Sequence, residues 1–252
     1  MWELTRLIMR EITCDDVLFG RLRLLQPITG PRVNMDTVLL AAWVKIRSGH
    51  GRVLEAGCAS GAVSLILAMR YENIHVTGID IQPELIEIAT LNATNNNLAD
   101  RVKFIAGDLR DKNILPRQYF DSLVINPPYE SLTASRESPD PSRTTARLEI
   151  SCNPDDVAEL AGRVLKDRGR MFAVFTSSRL DVFLSAMMRH RITPKRLRPV
   201  YPNQRANSGI FLCECVKRGG EGLSILPPLY VRGNDGDYTP EIMRAYEPDG
   251  YV

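Results

Sequence analysis

Four short apolar runs in succession each close on a polar side chain, and stretches of helical periodicity separate the first three. The runs are Arg52-Val-Leu-Glu55, Ile74-His-Val-Thr-Gly-Ile-Asp80, Val102-Lys-Phe-Ile-Ala leading to Gly107-Asp108, and Ser122-Leu-Val-Ile125 leading to Asn126. Ala62-Val-Ser-Leu-Ile-Leu-Ala-Met and Pro83-Glu-Leu-Ile-Glu-Ile-Ala-Thr-Leu-Asn read as the intervening helices, the second with Pro83 in its first turn. Strands alternating with helices are joined by crossovers, which makes neighbouring strands parallel. Ligands of such a sheet sit outside the carboxyl ends of its strands. Glu55, Asp80, Asp108 and Asn126 are therefore expected on one edge of an α/β fold. A single acid at a strand end is often only a helix cap or turn residue, whereas four polar ends in succession form a constellation.

The fourth run is the most constrained. Neither Pro127 nor Pro128 can donate a ladder hydrogen bond, so the strand must stop at Asn126. Pro127 also biases Asn126 towards extended backbone. The stiff lip that results carries an amide side chain, a carbonyl and the ring of Tyr129. An exocyclic amino group on a base or amide is a poor nucleophile because its lone pair is delocalised. The Asn126 side-chain oxygen and the Pro127 carbonyl can each accept one of its N–H bonds, fixing the nitrogen and localising the lone pair. Stacking of a planar substrate on Tyr129 is worth roughly 1–3 kcal/mol per base. A proline turn that merely ends a strand has the same local sequence, and only the preceding turns separate the two readings.

The turn after the first run is Glu55-Ala-Gly57-Cys-Ala-Ser-Gly61, opening a helix. That geometry lets a ligand approach backbone closely at a helix N-terminus. An acid after the second strand takes ribose hydroxyls. A dinucleotide site would need G-x-G-x-x-G to admit pyrophosphate, but here only Gly57 and Gly61 follow the acid. A nucleoside ligand without pyrophosphate fits better. S-adenosyl-L-methionine matches the set, with Glu55 for its amino group and backbone from Gly57 to Gly61 for its amino-acid part. Asp80 then takes its ribose and Asp108 its adenine amino group.

The whole chain of 252 residues is 44% apolar and 25% charged, ordinary globular composition, and its net charge of +2 is too mild to argue nucleic-acid binding by itself. Five scattered cysteines make no disulfide framework, and Cys213-x-Cys215 lacks zinc spacing, so a reducing cytoplasm is the expected compartment. His50, His75 and His190 show no ligand spacing, so no metal is expected. The start reads as no signal peptide, and no apolar run suits a membrane span.

Leu18-Phe-Gly-Arg-Leu-Arg-Leu-Leu reads as a hairpin arm and Gln26-Pro-Ile-Thr-Gly-Pro-Arg-Val as a loop. A helix capped by Asp36 or Thr37 follows, apolar enough to pack on the main domain. Residues 130–149 are polar and carry Arg136, Arg143 and Arg147, either a flap touching substrate phosphates or a solvated connector. Asn153 caps a helix, Gly169-Arg-Met-Phe-Ala-Val-Phe is a fifth strand, and residues 178–190 form another helix. Arg189, Arg191, Lys195, Arg196, Arg198 and Arg205 make the one basic concentration, suited to phosphates or to a solvated strand edge. Ile210-Phe-Leu-Cys-Glu-Cys-Val-Lys is a last, antiparallel strand. Three segments are expected: an N-terminal hairpin and helix (1–48), a main domain (49–218) and an extended tail (219–252).

Glu-x-Gly-x-x-x-Gly, the acid after the second strand, Gly-Asp after the third and Asn126-Pro-Pro-Tyr after the fourth resemble class I amino-group methyltransferases. Met35-Asp36-Thr37-Val-Leu-Leu-Ala-Ala, Ala146-Arg147-Leu148-Glu149, Pro194-Lys195-Arg196-Leu-Arg198, Leu226-Pro-Pro-Leu and Tyr238-Thr-Pro-Glu narrow the likeness. Over nearly the whole chain it is similar to the tRNA1(Val) adenine-N6 methyltransferase family. The resemblance implies a Rossmann-like fold with a mostly parallel seven-stranded sheet and helices on both faces. It implies cofactor contacts from Asp36, Thr37, Cys58, Ile81, Leu109 and Asn126 besides those above, and a catalytic lip of Asn126, Pro127, Pro128 and Tyr129. It also implies tRNA as partner, with Arg136, Arg143, Arg147, Lys195, Arg196 and Arg198 as RNA-binding candidates. Ala59 stands where the family usually has glycine, and Leu148 where it often has histidine. Other amino acceptors (ribosomal RNA, DNA, a protein glutamine) and a non-catalytic RNA-binding module of the same fold are the alternatives.

Overall fold

The computed structural model describes residues 12–46, 50–127 and 153–252. Pro128, Tyr129 and the segment carrying Arg136, Arg143 and Arg147 lie outside the described residues. Strands β1 (Ile12–Val17) and β2 (Leu22–Pro27) form a separate hairpin, followed by α1 (Met35–Trp43). The main unit continues with β3 (His50–Ala56), α2 (Ala62–Arg70), β4 (Asn73–Asp80), α3 (Pro83–Asn95), β5 (Val102–Ala106) and β6 (Phe120–Ile125). After the undescribed segment come α4 (Pro154–Val164), β7 (Leu165–Thr176), α5 (Leu180–Arg189), β8 (Ile192–Tyr201) and β9 (Ile210–Lys217). The tail adds β10 (Ser224–Ile225), β11 (Leu229–Tyr230) and α6 (Pro240–Ala245).

The large sheet runs β10-β8-β9-β7-β6-β3-β4-β5, with β11 also on β8. Neighbours from β7 through β6, β3 and β4 to β5 are parallel, and β9 is antiparallel to both β7 and β8. Seven strands match the expected sheet, and the two additional ones are two-residue pieces of the tail beside β8. Two residues are too few to show a hydrophobic alternation, so these were illegible as strands. Because β3 to β6 share one direction, their carboxyl ends meet at one edge, as the four polar strand ends require.

Helices cover both faces. On one, α1 and α2 pack with the hairpin and tail, and Trp43, Leu65 and Leu39 are fully buried. On the other, α4 and α5 enclose Phe175, Phe183 and Phe211, whose rings lie 5.3 to 6.1 Å apart. Burying such side chains contributes about 1.5–3 kcal/mol each. Residues 37–43 of α1 are all buried, which explains its lack of a polar face. The tail is also packed: Ile242 and Ala245 are fully buried, and the Val252 N–H donates to the Ala42 carbonyl at 3.3 Å.

Two local expectations need correction. The cap of α1 is Asn34, not Asp36 or Thr37; Thr37 donates its N–H to Asn34 Oδ1 at 3.0 Å and closes a capping box from inside the helix. Residues 18–21, read as the start of an arm, are the hairpin turn, closed by Arg21 N–H to the Leu18 carbonyl at 3.3 Å. The hairpin attaches to α3 through amide side chains. Asn92 Oδ1 accepts from Leu25 N–H at 2.7 Å and its Nδ2 donates to the Leu25 carbonyl at 2.9 Å. One turn on, Asn96 repeats this with Arg23 at 3.1 and 2.8 Å. Two asparagines thus pair with the exposed edge of β2 as another strand would. Among the described residues no helix is long and apolar enough to cross a membrane.

Candidate active site

A cavity of about 520 Å³ opens at the carboxyl edge, between the ends of β3, β4, β5 and β6. Its floor is the β3–α2 loop. Gly57 and Gly61 hold positive φ values of 69° and 85°, and Ala59 one of 46°. The N–H groups of Gly57 and Cys58 both donate to the Ile79 carbonyl, at 2.8 and 3.1 Å, tying the loop to β4. A Cβ on Gly61 would stand 2.5 Å from Phe104 Cζ, so both its φ and its surroundings demand glycine.

Glu55 lines the cavity yet is only 4% exposed. Its Oε2 accepts from the Ser64 N–H at 2.8 Å and the Ser64 hydroxyl at 2.5 Å. Burial pushes its carboxyl up to about 8; the Ser64 bonds oppose this and the negative charge of Asp80 adds to it. A buried acid facing an open cavity is suited to a cationic ligand group, because the arriving charge stabilises the carboxylate that burial disfavours. Asp80, 6% exposed, accepts from Ala59 N–H at 2.8 Å and Gln82 N–H at 3.1 Å and also lines the cavity. Ile81 and Leu109 add apolar walls for a flat ring. These features fit S-adenosyl-L-methionine: an acid for an ammonium, an acid for a diol, and backbone reached past glycine.

Asp108 lines the same cavity but is held by Arg110, whose Nε donates to both carboxylate oxygens at 2.9 Å and whose Nη2 reaches Oδ2 at 2.6 Å. The Arg110 hydrogen bonds keep its carboxyl below the usual range. Ala56 and Ile125 are register partners on β3 and β6, so Gly57 and Asn126 leave the sheet side by side. Asn126 and Pro127 both line the cavity. Thr37 lines it as well, whereas Asp36 does not; Asp36 is part-buried, and desolvation raises its carboxyl.

Residues 30–34 form a wall that sequence reasoning read only as loop. Arg32 anchors it, donating to Asp15 Oδ2 at 2.7 Å and the Pro27 carbonyl at 2.6 Å, while Val33 N–H donates to Gln26 Oε1 at 2.7 Å. The punctuators in this stretch signalled a loop but not the surface it would cover.

Half of the basic concentration is tied into the protein, while Arg189, Arg191 and Arg205 are exposed. Arg196 pairs with the buried Glu214 at 2.9 Å and lies 4.5 Å over the Trp43 ring; Arg170 pairs with the same carboxylate. Arg198, 8% exposed, pairs with Glu241 at 2.8 Å and donates to the Pro227 carbonyl at 3.1 Å. Lys195 donates to the carbonyls of Glu221 and Gly220 at 2.7 and 3.1 Å. These three side chains bind the tail and core to β8.

Curated relatives share this chain's length. A tRNA1(Val) (adenine(37)-N6)-methyltransferase of Porphyromonas gingivalis is 28% identical, covering 93% of this chain and 94% of the relative. Proteins of the same name from Yersinia enterocolitica and Aliivibrio salmonicida are 29% and 26% identical over 83% and 81% of this chain, and 82% and 81% of theirs. Among solved structures, a predicted O-methyltransferase from Agrobacterium tumefaciens superposes with a TM-score of 0.71 at 18% identity, covering 86% of this chain and 98% of its own. Geranyl diphosphate methyltransferase with SAM bound gives 0.53 at 13% identity, over 71% of this chain and 82% of that one. These structures share the fold. Residues 47–205 match the methyltransferase domain, and the chain belongs to that family.

Proposed function

We propose that this protein transfers a methyl group from S-adenosyl-L-methionine to N6 of an adenosine in tRNA, the adenosine at position 37 of a valine tRNA, the substrate in its relatives' name. The observation that carries the proposal is that Asn126 and Pro127 stand in the wall of the cavity that also holds Glu55, Gly57 and Asp80. An amine acceptor clamp and a nucleoside-cofactor site thus share one space.

S-adenosyl-L-methionine supplies an electrophilic methyl group on a sulfonium sulfur. Glu55 takes its ammonium and Asp80 its ribose hydroxyls, with Thr37 and backbone at Gly57, Cys58 and Gly61 around its amino-acid end. Ile81, Asp108 and Leu109 enclose its adenine, and Asp36 acts from behind Thr37. The target base leaves its stack to enter the cavity, as bases must for chemistry on them. Asn126 Oδ1 and the Pro127 carbonyl accept from its amino group, Tyr129 stacks on its face, and Pro128 stiffens the lip. Positioning supplies most of the rate. No side chain need act as general base, because the methylated nitrogen is acidic and releases its proton to water. Arg136, Arg143 and Arg147 are proposed to meet phosphates of the bound RNA, and a reducing cytoplasm is the proposed compartment.

The test is nucleoside mass analysis of separate tRNA, ribosomal RNA, DNA and protein pools after incubation with protein and cofactor. N6-methyladenosine confined to valine tRNA is expected; label elsewhere would reassign the substrate. Asn126→Ala should keep cofactor binding by calorimetry and lose about 10²-fold or more in turnover. Unchanged turnover would remove Asn126 from the mechanism.

A further inference from the structure

Lys195, Arg196 and Arg198 are engaged by the tail and core, and a second group of exposed cations lies on another part of the sheet. A groove of about 290 Å³ crosses β3, β4 and β5 near their amino ends. Arg52 of β3 and His75 of β4 are register partners, and Lys103 of β5 is the partner of Thr77. Partners and residues two apart share a face of the sheet, so these four side chains stand together. Arg52, His75 and Lys103 are exposed. Among the described residues none of the three forms an ion pair. Asp121, which accepts from the Arg52 backbone N–H at 2.8 Å, is paired with Lys166 at 2.6 Å. Asp100 is the one carboxylate in the lining, and Arg101 turns inward to the carbonyls of Ala68 and Tyr71. The Arg52 guanidinium lies 4.3 Å from the centre of the Tyr119 ring, which is itself 39% exposed.

Arg52 and Lys103 stand on either side of β4, so an anion lying across that strand can meet both cations. Two cations, an imidazole, a threonine hydroxyl and an exposed ring suit a sugar–phosphate backbone, which takes Arg, Lys and hydroxyl contacts. Arg52 lies four positions before Ala56 of the cavity wall on β3, about 13 Å at roughly 3.3 Å per residue.

We infer that this groove is a phosphodiester site that grips the backbone of the bound RNA away from the base being modified. The inference rests on the reading given under Proposed function. The test uses the full chain with full-length valine tRNA and the variants Arg52→Gln, Lys103→Gln and both together. The slope of log affinity against log salt should fall by about one for each single variant and about two for the pair. The tRNA KM of the double variant should rise about tenfold at physiological salt, with cofactor affinity retained. If Arg52→Gln lowers the thermal midpoint, the exposed Lys103→Gln carries the test through its own slope. A wild-type slope in the double variant, with the wild type methylating tRNA, overturns the groove alone. Failure of the wild type to methylate any tRNA overturns the reading beneath it.

Discussion

The backbone N–H of Ala59 donates to Asp80 Oδ2 at 2.8 Å while Ala59 itself is held at a φ of 46°. One hydrogen bond thus fastens the β3–α2 loop to the acid at the end of β4, through a residue whose Cβ disfavours the conformation. For L-residues the left-handed region costs about 1–2 kcal/mol, part of which a glycine gives back in unfolded-state entropy. Ala59→Gly should therefore stabilise the protein by about 0.5–1 kcal/mol. Urea denaturation with an unchanged m value would check it; a lower midpoint would show that the methyl is tolerated without strain.

Gly61 should behave oppositely. A Cβ there meets Phe104 Cζ at 2.5 Å, and the φ of 85° is unfavourable besides. Gly61→Ala should cost about 1–3 kcal/mol from overpacking, with the backbone strain added. Pairing it with Phe104→Leu should recover the packing part only. Additive losses in the double mutant would refute the clash.

Glu55 sets a pH dependence. Its folded carboxyl titrates near 8 against an ordinary 4.5, chiefly through burial. Between those values the folded state holds a proton that the unfolded state has released, so stability is full below the lower value and declines as pH rises through the upper. The loss should reach a few kcal/mol, at ~1.4 kcal/mol for each tenfold change in the acid's ionisation constant. Thermal denaturation of the ligand-free protein from pH 5 to pH 8 reads it. Glu55→Gln should flatten the profile, and cofactor, whose ammonium favours the carboxylate, should restore stability at pH 8. A slope that survives Glu55→Gln would assign it to another group.

Asn92 is a positioning residue whose effect separates from that of Asn96. Both hold the hairpin, but Asn92 is fully buried and its Nδ2 also donates to the Ser60 carbonyl in the β3–α2 loop at 3.0 Å. Asn92→Asp removes both carbonyl contacts and should weaken cofactor binding about tenfold or more, as loss of a buried hydrogen-bonding group costs ~1–3 kcal/mol. Asn96→Ala should lower the thermal midpoint while cofactor affinity stays near wild type. Calorimetry beside a thermal scan distinguishes them, and parallel changes in the two variants would leave Asn92 with a purely structural part.

Much of the site was legible because its signals are local. An apolar run that ends on Glu55, Asp80 or Asn126 carries its strand, its boundary and its polar tip within a few residues, and chain alternation then supplies the parallel direction. The cap of α1 was less legible: Asn34, Asp36 and Thr37 all suit the role, and backbone geometry alone selects Asn34.

The sequence by itself determined which residues sit at strand ends, since period and punctuation are properties of neighbours along the chain. Only the tertiary structure decided which charges face water. Arg196 and Arg198 are close in sequence, yet burial against Trp43, Glu214 and Glu241 turns them into internal partners. Arg52, His75 and Lys103 are far apart in sequence, yet strand register gathers them on one face of the sheet. Charge is written residue by residue, but desolvation and proximity exist only once the strands have paired.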